Sequence, residues 1–410
     1  MVQYKRGDRM IRFDFETYVK PFINQERFNY YYAKKEFYID KLTNSNMIGW
    51  TKPVLKETIN DIKKTAKYIK NNFECMVVIG IGGSFLGSHA FHEIFKKYFN
   101  DESFEIIYAG TTLSSKYLEE LIIYLKEKNF CLNVISKSGT TIETNITYSE
   151  IKKLLKRKYP KEEIQKRIFI TTNKETGNLN EEVKKNNYKS FEFPKDIGGR
   201  FSFITSAHLL PLALNYDIEK IIDGYYDGKR LINRALEYAI IRKLLFEKGK
   251  LIESFCVFEQ NMQGLTEWIK QLFGETEGKK GVGIYPTSCV YTKDLHSLGQ
   301  FIQEGNKIIF ETFIKIENVN NFINYKNKSL QEINNIILDS TMSAHFKGSV
   351  PCIEISIEKL NLETVSTLIY FFMLSAAFSG FLFEVDPFNQ PGVEIYKQEF
   401  MESLNKLGDI

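Results

Sequence analysis

Proline is scarce in this chain, 9 residues among 410, and glycine is held to 25. Collagen-like and low-complexity chains carry far more of both. With 43% hydrophobic and 26% charged residues, the composition reads as folded and soluble, and 410 residues suffice for two ordinary domains with a substantial core. Cysteine is sparse too. Cys75, Cys131, Cys256, Cys289 and Cys352 are dispersed, none forms a C-x-x-C pair, and three lie in apolar strand-like runs. Reduced, buried thiols of a cytosolic protein fit that pattern, and a structural zinc site has no support. There is no excess of one charge: the net value is +4, and lysines such as Lys152-Lys153 are interleaved with acids such as Glu162-Glu163. A nucleic-acid partner is therefore not expected, and a solvated surface is. Met1 to Lys20 lacks an apolar signal-peptide core, and Met10-Ile11-Arg12-Phe13 reads as an alternative natural start that would make the first nine residues an extension. Long hydrophobic runs are missing except Ile369 to Phe383, about fifteen residues interrupted by Ser375, Ser379 and Gly380. That length suits a buried core helix better than a membrane span. No internal repeat is visible.

What is present is alternation. Residues before about Trp50 read as short helices and loops, followed by an amphipathic helix with Ile59, Ile62, Ala66, Ile69 and Phe73 on one face. Apolar runs at Cys75 to Ile79, Phe104 to Tyr108, Phe130 to Ile135, Arg167 to Thr171 and Ser190 to Phe193 are separated by helical stretches, among them Ser84 to Phe99 and Thr141 to Tyr159. After helices between about His208 and Lys248, strands recur at Leu251 to Phe258, Ile284 to Val290, Ile308 to Ile316 and Cys352 to Ile357. Helices near Thr266 to Phe273, His296 to Gln303, Leu330 to Asp339 and Thr364 to Leu382 lie among them. Apolar strands without polar alternation, spaced by helices, predict parallel sheets covered on both faces. The fold class is thus α/β: two tandem α/β/α sandwiches with parallel sheets. The expected divisions are a helical segment 1–49, sandwiches 50–206 and 207–383, and a tail helix within 384–410.

The richest chemistry follows the run Phe130 to Ile135. Ser136-Lys137-Ser138-Gly139-Thr140-Thr141 places four hydroxyls, a lysine and a glycine where a buried strand should end and a helix begin. First-turn helix amides lack intrahelical partners and the dipole there favours negative charge. Together these groups make a socket for a phosphate monoester. No G-x-x-x-x-G-K-[ST] loop occurs here, so a small phosphorylated metabolite suits it better than a nucleoside triphosphate. A second turn, Gly80-Ile81-Gly82-Gly83-Ser84-Phe85-Leu86-Gly87, resembles a dinucleotide loop but has Phe85 where G-x-G-x-x-G needs glycine. Tyr108-Ala109-Gly110 also stands where the acid of that fingerprint belongs, which disfavours a nicotinamide dehydrogenase. Alone, this turn fits a structural role as well as a sugar or phosphate cradle. A third loop, Gly198-Gly199-Arg200-Phe201-Ser202, offers a guanidinium beside bare backbone, though Arg200 by itself reads better as half of a surface ion pair.

These three motifs, in this order, resemble the phosphoglucose isomerase family. The resemblance continues through Gln271-Leu272-Phe273-Gly274-Glu275-Thr276-Glu277-Gly278-Lys279, then Asp294-Leu295-His296-Ser297-Leu298-Gly299-Gln300. It closes on Asn389-Gln390-Pro391-Gly392-Val393-Glu394-Ile395-Tyr396-Lys397, so six signatures span most of the chain. The length is similar to that of the shorter bacterial branch. The resemblance implies a cytoplasmic enzyme of glycolysis and gluconeogenesis that needs neither metal nor organic cofactor. It would interconvert glucose 6-phosphate and fructose 6-phosphate by ring opening and proton transfer through a cis-enediolate.

It also implies roles. Glu275 resembles the base that moves a proton between C2 and C1, which a carboxylate can do without a metal if partial burial raises its pKa. On spacing alone Glu275 could be a helix-surface glutamate, since Glu277 and Lys279 follow closely. Arg200 resembles the cation that stabilises the enediolate oxygens, and His296 and Lys397 the pair that opens the sugar ring. Ser84, Ser136, Lys137, Ser138 and Thr141, with Gly83 beside them, match the phosphate-binding positions, and Gln271 and Gln390 match positions that contact sugar or catalytic groups. Two departures stand out: Ser138 replaces a frequent threonine, and E-T-E-G-K stands where many relatives read E-S-N-G-K. The family's histidine enters the site from the partner subunit, so the resemblance implies a homodimer. His89 and His92 share a helix face, but no further ligands cluster with them and a metal is not expected. A non-catalytic sugar-phosphate sensor could dispense with Glu275, His296 and Lys397, all of which are present. An isomerase for mannose or amino-sugar phosphates stays open.

Overall fold

The computed structural model describes residues 10–139, 141–318 and 323–406. Residues 1–9, on which the alternative start bears, and Thr140 of the hydroxyl-rich loop lie outside them. The chain divides into two compact units, one of residues up to Asn44 with Gly228–Gln260 and Ile269 onward, the other of Ser45–Asp227 with Asn261–Trp268.

Strand β1 is Ile11–Asp14, and the next five strands are β2 Cys75–Ile79, β3 Glu105–Ala109, β4 Phe130–Ile135, β5 Ile168–Thr172 and β6 Lys189–Glu192. β2 to β6 make the sheet of the Ser45–Asp227 unit, parallel throughout in the order β3-β2-β4-β5-β6. Every residue of β2, β4 and β5 is buried, as their mainly apolar sequences predict for central parallel strands, with Asn133, Thr171 and Thr172 the polar exceptions. The Lys56–Asn72 helix buries Ile62, Thr65, Ala66 and Ile69, the three-and-four spacing that its sequence sets. The order reverses between β2 and β4, so crevices open at their carboxyl ends, the switch point at which open α/β sheets bind ligands.

The remaining strands are β7 Ile252–Val257, β8 Tyr285–Val290, β9 Ile309–Ile316, the short hairpin β10 Asn324–Tyr325 and β11 Lys328–Ser329, and β12 Cys352–Ile357. The second unit's sheet runs β1-β12-β9-β7-β8, parallel from β12 to β8. β1 pairs antiparallel with β12, Ile11 opposite Ile357 and Asp14 opposite Glu354. The expected helical segment 1–49 contains a strand as well: Ile11–Asp14 form an edge strand of the second sheet. An edge strand needs a ladder on one side only, so Ile11-Arg12-Phe13-Asp14 pairs without an all-apolar sequence. The expected boundary at 206/207 also shifts. The helices Ser206–Leu212 and Ile218–Asp227 belong to the first unit, where His208 bonds to Ser88 and Gly83.

The apolar helix Leu362–Leu382 is long enough to cross a membrane, yet its apolar stretch is buried within the fold. It is the core helix that its serines and glycine predict. All five cysteines are free, buried and carried on strands; burial pushes the Cys75 thiol up to about 12.

Candidate active site

The first unit brings its three loops to one end of the sheet. After β4, the Ser136 hydroxyl accepts from the Gly139 amide at 3.0 Å and lies 3.4 Å from the Thr141 hydroxyl. The Ser136 carbonyl is held by Thr172 Oγ1 at 2.7 Å and its amide by the Thr171 carbonyl at 3.1 Å, so the neighbouring β5 fixes the loop. Gly139 has φ 71°, which makes the turn possible. Thr141 is the N-cap of the Ile142–Lys158 helix but its side chain does not cap that helix. Its hydroxyl faces that of Ser136 instead, and first-turn amides without intrahelical partners suit an anion. Ser138 is exposed at the rim.

Lys137 is placed differently from a simple reading of the motif. Its half-buried ammonium donates to the carbonyls of Lys195 at 3.0 Å and Ile197 at 2.8 Å, and burial pushes its pKa down. Two of its three protons thus hold the segment leading into Gly198-Gly199-Arg200.

The turn after β2 contains Gly82 at φ 56° in a tight Gly82–Ser84 turn, and the Leu86–Phe95 helix follows. The expected helix from Ser84 to Phe99 therefore starts later and ends earlier. A Cβ on Gly83 would fall 2.1 Å from the Gly199 carbonyl carbon, so two bare backbones are in contact. Ser202 Oγ reaches the Gly83 carbonyl at 2.9 Å, joining the same loops. Arg200 sits in the Gly199–Phe201 turn with 2% of its surface exposed, which rules out the surface ion pair entertained from sequence. Its guanidinium carbon lies 5.5 Å from the centre of the Phe201 ring.

His208 went unnoticed in the sequence. Its Nδ1 accepts from the Ser88 amide at 3.0 Å and its Nε2 donates to the Gly83 carbonyl at 2.8 Å. Burial pushes its pKa down to about 4, so it is a neutral Nε2–H tautomer bracing the glycine turn. No local motif announces it: Ser202, whose Oγ lies 3.1 Å from Nε2, is near in sequence, but Ser88 and Gly83 lie more than a hundred residues away. His92 is likewise structural, with Nδ1 2.9 Å from the Tyr216 hydroxyl.

The Gln263–Glu277 helix, whose residues from Ile269 onward belong to the second unit, runs beyond the Thr266 to Phe273 stretch expected, which puts Glu275 in its last turn. Gln271 Nε2 donates to Glu275 Oε1 at 3.0 Å, one turn apart, and both residues are half-buried. Gln271 Oε1 is buried and, among the described residues, accepts no hydrogen bond. His296 is exposed in the Lys293–His296 turn after β8, outside the Gly299–Glu304 helix rather than at the start of one. The Val290 amide donates to Asp294 Oδ2 at 2.7 Å and anchors that turn to the strand. Lys397 lies on the Pro391–Asn405 helix, 2.9 Å from Glu394, and Gln390 is that helix's exposed N-cap. The structure thus joins Gln271 to Glu275 directly and carries His296, Gln390 and Lys397 on other elements of the same unit. Among the described residues no group of three or more His, Cys, Asp or Glu is placed to hold a metal ion.

A sequence model of the family described as phosphoglucose isomerase matches residues 51–340. Glucose-6-phosphate isomerase of Staphylococcus saprophyticus is 44% identical over 390 residues, covering 89% of this chain and 88% of that protein. The enzyme of the same name from Staphylococcus aureus is 42% identical over the same span. Among solved structures, a hypothetical protein of Thermus thermophilus superposes with a TM-score of 0.83 at 25% identity, covering 96% of this chain and all of that one. A glucose-6-phosphate isomerase of Chlamydia trachomatis shares the fold with a TM-score of 0.77 at 19% identity, over 87% of this chain and 74% of that one. With a family model matched over most of its length and relatives above 40% identity over 89% of it, the chain belongs to the phosphoglucose isomerase family.

Proposed function

We infer that the chain is an aldose–ketose isomerase of glycolysis and gluconeogenesis, interconverting glucose 6-phosphate and fructose 6-phosphate. Identity of 42–44% to curated glucose-6-phosphate isomerases carries this reading. The residues supply a role for each step. Ser84, Ser136, Ser138 and Thr141 hold the phosphate with the first-turn amides, and Gly83 gives it room. Lys137 adds positive charge and braces the loop before Arg200. His296 and Lys397 open the ring by moving protons at the ring oxygen and the C1 hydroxyl. Glu275 then takes the C2 proton and returns it to C1, while Arg200 stabilises the enediolate oxygens; a cation already fixed by burial needs no reorganisation as that charge develops. Gln271 orients the Glu275 carboxylate through one oxygen and offers its own Oε1 to a sugar hydroxyl, and Gln390 contacts the substrate from the tail.

The reading includes a homodimer in which His296 serves the partner's site, supported by its exposed position on a turn anchored to β8. It places the enzyme in the cytoplasm, where five free buried thiols are stable. A coupled assay tests the activity. Fructose 6-phosphate should yield glucose 6-phosphate at a rate unaffected by a metal chelator and well above any rate with mannose 6-phosphate. Preference for mannose 6-phosphate would move the protein to another sugar-phosphate isomerase activity.

A further inference from the structure

Directly after Glu275 the helix ends in Thr276 and Glu277, both without exposed surface. Glu277 is a carboxylate at a helix C-terminus, where the macrodipole opposes it. It is paired with Arg242, itself fully buried on the Ile232–Glu247 helix, through Nη1. The same guanidinium donates through Nε to Glu253 of β7 at 2.6 Å and through Nη1 to Ser379 Oγ of the Leu362–Leu382 helix at 2.7 Å. Glu253 in turn accepts from Tyr238 and from Thr312 Oγ1, the latter at 2.6 Å. The remaining Glu277 oxygen accepts from the Ile284 amide at 3.3 Å. Burial alone would push the Arg242 pKa down, but the Glu253 and Glu277 carboxylates overcome that and hold it above its ordinary value.

Stability gives no reason for this arrangement. Three buried charges cost several kcal/mol each in lost hydration, and apolar side chains of similar volume often do as well or better. What an ion network supplies and apolar packing does not is a fixed direction. The guanidinium fork has donors at set angles. Here they tie the last turn of one helix to β7 and to two further helices at once. That turn carries Glu275.

We propose that Glu277, clamped by Arg242, is a positioning residue for the proton transfer: it sets the rotation and depth of the helix end from which Glu275 reaches the substrate. The proposal rests on Glu275 being the base. It assigns to E-T-E-G-K a purpose for its second acid, which touches no substrate. An asparagine there, as in E-S-N-G-K, could not neutralise the buried guanidinium.

The test compares two substitutions of equal chemistry on the same guanidinium, Glu277→Gln and Glu253→Gln. Each removes one buried charge, but only the first alters the helix that carries Glu275. With rates expressed per folded molecule, Glu277→Gln should lower kcat about 10- to 100-fold with KM within about twofold, since small misplacement of a reacting group costs that much. Glu253→Gln should lower Tm comparably while changing kcat less than about threefold. Equal losses of kcat in the two variants, or a Glu277→Gln enzyme with kcat within about threefold of wild type, would overturn the clamp. If Glu277→Gln does not fold, Glu277→Asp keeps the charge, withdraws it by one methylene, and is read by the same criteria. Glu275→Gln measured alongside separates the two readings: full activity there defeats the assignment of the base, whereas an inactive Glu275→Gln beside a normal Glu277→Gln defeats only the clamp.

Discussion

At the scale of single residues, chemistry that depends on a local run was legible and chemistry that depends on distant partners was not. Ser136 and Thr141 announce themselves because their hydroxyls follow a buried strand and precede a helix, and the structure sets them 3.4 Å apart. Lys137 belongs to the same run, yet its ammonium is bound to the carbonyls of Lys195 and Ile197, contacts that no spacing rule encodes. Arg200 reads from sequence as half of a surface ion pair, and its burial overturns that. His208 was invisible altogether. It makes a prediction through its pKa, which burial lowers from the ordinary 6.5 to about 4. A histidine lowered on folding binds its proton more tightly in the unfolded chain, so its contribution is complete above pH 6.5 and is lost as the pH falls toward 4. The loss amounts to about 3 kcal/mol at most. Thermal unfolding followed between pH 7 and pH 4.5 should therefore show a smaller drop in Tm for His208→Gln than for wild type. Identical slopes would show that this imidazole does not report on the fold.

Secondary-structure elements explain why the loops work. β2 and β4 are adjacent and parallel, and the sheet order reverses between them, so the turns after both strands open on one crevice. Their apolar sequences, buried at every position, are why the strands could be read directly. β1 could not, because four residues of mixed polarity carry no periodic signal until a partner strand is known. The end of the Gln263–Glu277 helix was also missed: Gly274 and the following polar residues look like a stop, but Thr276 and Glu277 are buried against neighbouring elements, which extend the helix. The phosphate-anchoring turn yields a prediction at this scale. Hydrogen bonds to a charged group are worth about 1.5–3 kcal/mol each. Replacing Ser136 and Thr141 together with alanine should thus raise KM for fructose 6-phosphate about tenfold or more and affect kcat less. An unchanged KM in steady-state assays would remove this turn from the phosphate site.

For the whole molecule, family membership and the α/β architecture were both within reach of the sequence, because six signatures are spread along the chain and each lies beside a strand or helix end. The division into units was not, since β1 joins a sheet whose other strands lie more than two hundred residues later. If His296 serves the partner's site, two crippled proteins can repair one another. Deuterium incorporation at C2 of glucose 6-phosphate in D2O, followed by proton NMR, measures the transfer itself. Glu275→Gln alone should exchange at least about a hundredfold more slowly than wild type, and His296→Ala alone should be slow as well. Co-production of the two variants in equal amounts should restore roughly a quarter of the wild-type rate, because half the dimers are hybrids with one intact site. Exchange by Glu275→Gln alone at the wild-type rate would contradict the assignment of that carboxylate as the proton carrier.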